Sequence, residues 1–78
     1  MKLEQFVKIA STEVTESVSK NNPNTNIVSK SYSKVIGEVR LEHLRLAYVN
    51  NSKVISKQRQ FKVNGIGVSR NEFIKHLN

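Results

Sequence analysis

The sequence predicts a small α+β domain of order α-β-β-β-α, a three-stranded antiparallel sheet packed against two helices, with residues 1–78 forming one unit. Three observations predict it. Apolar residues recur at three- and four-residue steps from Leu3 to Val18. Three β-prone runs follow, divided by Gly and Asn turn signals. Ser69, with Glu72 three residues later, opens a final helix at capping-box spacing.

Residues 2–19 read as an amphipathic helix. Leu3, Phe6, Val7, Ala10, Val14 and Val18 form one apolar stripe, and Glu13, Glu16, Ser17 and Lys20 lie largely off it. The stripe is expected in the core. Asn21-Asn22-Pro23-Asn24-Thr25-Asn26 then breaks the helix, because Pro23 cannot continue it and Asn tolerates left-handed turn conformations.

Residues 27–36 read as a half-exposed strand, with Val28, Tyr32 and Ile36 sharing one parity with Lys30 and Lys34. Gly37 marks a bend. Residues 39–49 suit two periods. Leu44, Leu46 and Tyr48 alternate with Arg45 and Ala47 as in a strand, whereas Val35, Val39, Glu42 and Leu46 fit one helical face. The β-branched content and the Asn50-Asn51 turn signal favour the strand. A two-residue turn at that pair sets Leu46 opposite Ile55 and Glu42 opposite Arg59.

Residues 54–63 form the third expected strand. Ser56, Gln58, Gln60 and Lys62 give it a polar even face, while Lys57 and Arg59 interrupt Ile55, Phe61 and Val63 on the odd face. Two cations there imply that the sheet is only partly covered. From about Arg70 to Leu77 the last helix is expected to lay Phe73, Ile74 and Leu77 on the sheet.

Composition narrows the function. Thirteen Lys and Arg against six acidic residues give a net charge of +7, and there is no cysteine. Disulfides and thiolate metal sites are excluded, and His43 and His76 are too isolated to suggest a metal or cofactor site. No apolar run approaches the ~18 residues that span a bilayer, and the N-terminus lacks a secretory h-region. A soluble, cytoplasmic protein with no membrane partner is expected.

The basic excess is uneven. Residues 53–78 carry Lys53, Lys57, Arg59, Lys62, Arg70 and Lys75 against Glu72 alone. Such a field attracts polyanions, nucleic acid first. The candidate nucleic-acid-binding set is these six cations with Ser69. Gly65-Ile66-Gly67-Val68-Ser69-Arg70 admits two readings. It is either a backbone cradle for phosphate at a helix start or an ordinary strand-to-helix turn with an Asn-Gly hairpin signal.

This segment resembles the Gly-x-Gly-x-Ser-Lys-Lys-x-Ala-Lys pattern of double-stranded RNA-binding domains, which share the α-β-β-β-α order. Gly65, Gly67 and Ser69 match, and Arg70 stands for the first lysine, while Asn71, Phe73 and Ile74 replace the second lysine, the alanine and the final lysine. The resemblance implies that Ser69 and Arg70 lie beside phosphates across a major groove. It also sets His43 against the family's loop histidine, without the Gly-Pro that precedes it there.

Of the five aromatics, Phe6, Phe61 and Phe73 read as core, leaving Tyr32 and Tyr48 as candidates for base stacking. Glu38, Arg40, Glu42, His43, Arg45 and Tyr48 contain the residue types of a metal-independent ribonuclease. Strand alternation, however, sends Glu42 and His43 to opposite faces, and a lone exposed histidine reads as surface. The expectation is a non-enzymatic RNA-binding protein, RNA ahead of DNA, that grips phosphates through its third strand and the start of its last helix. The alternative is a protein-binding inhibitor or antitoxin-like factor, of the kind small phage genes encode, docking on an acidic protein or ribonucleoprotein. An edge strand or the first helix's stripe offers a route to a homodimer.

Overall fold

The computed structural model describes residues 1–78. Along the chain run α1 (Leu3–Ile9), β1 (Ser11–Val18), β2 (Thr25–Ile36), β3 (Val39–Asn50), β4 (Lys53–Val63), β5 (Ile66–Val68) and α2 (Arg70–Lys75). All five strands join one antiparallel sheet in the order β1-β2-β3-β4-β5. The expected α-β-β-β-α order with a three-stranded sheet is therefore wrong, by one strand at each edge.

The first error lies in residues 2–19, where one helix was expected. The helix stops at Ile9, after about two turns that place Phe6 in the core, and residues from Ser11 onward pair with β2. Ala10, Val14 and Val18 are spaced by four, a step common to a helical stripe and to one face of a strand. The run Ser-Thr-Glu-Val-Thr-Glu-Ser-Val settles the competition locally. Its Thr and Val residues are stiff at χ1 and favour extended backbone.

The second error lies at Asn64-Gly65. This pair does not lead directly into the last helix. It makes a two-residue hairpin turn, with φ of 52° and 81°, that sets Val63 opposite Ile66. Asn-Gly supplies the two left-handed residues that such a turn needs. The short β5 follows before Ser69 caps α2 by accepting the Glu72 N–H on its Oγ at 3.1 Å.

The β3–β4 register also differs from expectation. The turn falls on Asn51-Ser52, both at positive φ, and a bulge intervenes between Tyr48 and Val49. Leu46 consequently faces Gln58 rather than Ile55, and Glu42 faces Lys62 rather than Arg59. The shift by an odd number of residues changes which side chains share a face. Lys57, Arg59, Phe61 and Val63 now project with Leu41, His43, Arg45 and Ala47.

Both helices lie on that same face. Phe6 of α1 meets Phe73 of α2 edge to face, centroids 5.3 Å apart, and Phe73 leans on Phe61 at 5.2 Å. With Tyr32, Leu41 and Leu77 these residues are the whole buried hydrophobic core. Leu3, Val7 and Ile74 pack around it, so the apolar side of α1 is turned to the core.

The two short helices cover only one end of a sheet that belongs to a molecule 42 Å long. Beyond them, the outer lengths of β1, β2, β3 and β4 carry no second layer. No helix is long and apolar enough to cross a membrane.

Candidate nucleic-acid interface

Three successive rungs on the helix-side face define the site. In the last covered rung, Tyr32, His43 and Phe61 stand opposite one another on β2, β3 and β4. Their rings stack, His43 to Phe61 at 4.4 Å and 8°, and Tyr32 to His43 at 5.9 Å and 23°. The next rung is Lys30, Arg45 and Arg59. The third places Lys57 opposite Ala47 and Ala47 opposite Val28.

A rung of three cations is an unusual thing to build. Neighbouring strands lie about 4.8 Å apart, and like charges placed directly opposite destabilise a sheet. None of the three is neutralised. The ion pairs of the molecule are Arg40–Glu42 at 3.1 Å, Lys75–Glu72 at 3.6 Å and the weaker His76–Glu72 at 4.0 Å.

Arg45 is held in place without a carboxylate. Its Nε–H donates to His43 Nε2 at 3.1 Å, and its guanidinium lies 5.4 Å from the centre of the Tyr32 ring. His43 can accept on Nε2 because Nδ1 faces the Gln60 carbonyl at 3.0 Å, which assigns the proton to Nδ1. Burial pushes the His43 pKa below 6.5. The Gln60 carbonyl opposes that shift, and the charges of Arg45 and Arg59 reinforce it. A neutral imidazole thus backs the arginine while its remaining N–H donors stay free of any ion pair.

These side chains border three shallow hollows. Val28, Lys30, Tyr32, Arg45, Lys57 and Arg59 line the first, of about 240 Å³, on the uncovered sheet. Toward the helices, Lys2, Arg45, Arg59, Arg70 and Ile74 line the second. Glu4 is the one acidic side chain on its wall, and it forms no ion pair with these cations.

The structure thus gathers Lys57, Arg59 and Arg70 from the expected set on this face, and the third hollow, beside β5, brings Lys62 and Ser69 next to Arg59 and Arg70. Lys62 projects from the other face, opposite Glu42. Lys53 sits at the distant β3–β4 turn, opposite Asn50. Lys75 is paired with Glu72. Ser69 spends its hydroxyl oxygen on the Glu72 amide, and α2 has only six residues, so its start is a cap rather than a phosphate cradle.

Sequence reasoning missed Lys30 and Arg45, the centre of the rung. Both share strand parity with core residues, Lys30 with Tyr32 and Arg45 with Leu41 and His43, and that parity was the available signal. His43 was expected at the surface and is instead fully buried. Tyr32 is also buried, so it offers no stacking surface, and Tyr48 lies half-buried on the opposite face. No group of three His, Cys, Asp or Glu residues is placed to hold a metal ion.

Comparison with protein-family models, curated proteins and solved structures gives no match to this chain.

Proposed function

We propose that this protein is a non-enzymatic nucleic-acid-binding protein of the cytoplasm that grips RNA phosphates with the uncovered half of its helix-side sheet face. Lys30, Arg45 and Arg59 make the central contacts, with Lys57 on one side and Arg70 on the other. The observation that carries this reading is the uncompensated cationic rung, Lys30–Arg45–Arg59. Two like charges about 5 Å apart repel by ~1 kcal/mol even in water. A bound polyanion reverses the sign of that term and releases its own counterions.

The aromatic inventory favours backbone over base recognition. The face presents no exposed ring, so successive bases have nothing to stack on. Arg70 reaches the same hollow as Arg45 and Arg59, which extends the cationic track toward the helices. The reading is non-enzymatic because both His43 nitrogens are engaged and the ring is buried, so the one imidazole among the cations is not available for proton transfer.

A second reading rests on the edge of β4. Strand β5 covers only Phe61–Val63, so the backbone from Lys53 to Gln60 is an open edge beside Lys57 and Arg59. An extended acidic segment of a protein can add to such an edge.

Mobility-shift titrations with single-stranded, duplex and hairpin RNA, beside duplex DNA, separate these readings. Binding to RNA that weakens steeply with salt supports the proposal. Failure of every nucleic acid to bind near physiological salt removes it and leaves the acidic-protein reading.

A further inference from the structure

We infer that the sheet face turned away from the helices is the docking surface for a second copy of this chain, giving a back-to-back dimer. The two faces of the sheet differ sharply in charge. On the helix side, strand residues Lys30, Lys34, Arg45, Lys57 and Arg59 meet one acid, Glu16. On the other side, register places Leu44, Leu46 and Tyr48 along β3, with Ile27 opposite Tyr48. Ser29 and Ser31 flank this stripe on β2, and Ser56, Gln58 and Gln60 flank it on β4.

The charged residues of that second face are Glu13, Arg40, Glu42, Lys53 and Lys62, which leave a net charge of only +1 and lie outside the central stripe. Arg40 and Glu42 already pair with each other. Two copies related by a twofold axis can therefore set stripe on stripe without opposing like charges, as an isologous interface requires. The cationic face cannot meet itself in this way.

Two further observations make a second copy the fitting occupant. Only eight of the 78 residues are buried, and none of the stripe residues reaches the hydrophobic core. Domains of this size commonly need oligomerisation to complete their burial. The 42 × 21 Å outline of the molecule also gives a face on the order of 800 Å², the share that each partner contributes to a standard interface. The strand edges suit pairing between copies less well, because Glu13 and Glu16 on β1 and Lys57 and Arg59 on β4 guard them.

Such a dimer turns both cationic faces outward. Combined with the proposed function, on which this consequence alone depends, it would hold two nucleic-acid segments on opposite sides.

Sedimentation equilibrium on the full chain, without nucleic acid, tests the dimer separately from that function. The expected mass is that of two chains at micromolar concentration. Gln58→Arg and Ser31→Arg place like charges across the twofold at polar positions, and each should shift the mass to one chain with the circular dichroism spectrum retained. Arg59→Glu, on the helix-side face, should leave the dimer intact. A monomer at all concentrations overturns the inference. So does a dimer that survives both face variants, or one that dissociates only when Val14→Pro, at a position whose N–H faces the open edge, blocks β1.

Discussion

Arg45 donates its Nε–H to Nε2 of His43 across 3.1 Å, and no carboxylate takes part. The histidine is stacked on Phe61 and fully buried, so the arginine is braced from the core side by a neutral ring. This joins the fold to the proposed site. The aromatic rung that closes the core also aims the first cation of the uncovered sheet.

That brace makes the protein sensitive to acid. Burial holds the folded His43 pKa below the unfolded value of 6.5. The unfolded chain therefore takes up the proton first, and stability is fully present above pH 6.5 and falls as pH drops toward the folded value. Denaturant melts at pH 7.5 and pH 5.5 should show the loss. His43→Gln keeps a donor for the Gln60 carbonyl and an acceptor for Arg45 but cannot titrate in this range, so this variant should lose most of the difference.

Arg59→Glu separates stability from function. It replaces a like-charge pair opposite Arg45 with an opposite-charge pair, which should leave the melting temperature unchanged or raise it. RNA affinity should fall by about tenfold or more, the effect of ~1.4 kcal/mol. Thermal melts and anisotropy titrations on the same sample check both halves. Reduced stability would show that the rung is compensated in a way its geometry does not reveal.

Phe73→Ala should be close to unfolding. The ring is fully buried and touches both Phe6 and Phe61 in a core of six hydrophobic residues. Truncating a buried Phe costs about 3–5 kcal/mol, a large part of the 5–15 kcal/mol that natural domains possess. Urea denaturation should show a much lower midpoint. Leu46→Ala, outside that core, should cost less in the monomer.

The sequence carried the middle of the fold better than its edges. The strands containing Tyr32, Leu44 and Phe61 and the helix carrying Phe73 lie close to where alternation and capping place them. β1 was hidden because the four-residue spacing of Ala10, Val14 and Val18 satisfies two periods at once. β5 was hidden because three residues are too few to show a period, although Asn64-Gly65 announced its hairpin. The site suffered from register. Periodicity assigns parity within a strand but not which parities share a face, and one bulge at Tyr48/Val49 decides that. Arg45 and Lys30 join Arg59 only once the pairing is known.

The most direct test of the cationic rung compares two double variants by fluorescence anisotropy with a duplex RNA over a salt series. Arg45→Ala/Arg59→Ala should weaken binding by about a hundredfold, at ~1.4 kcal/mol per contact, and flatten the slope of log K against log salt by about two phosphate contacts. Lys53→Ala/Lys75→Ala, drawn from cations that the fold sets apart, should change affinity by less than about threefold, the range of weak surface charge effects. Equal losses in the two variants would contradict the account, because binding would then follow net charge rather than the rung.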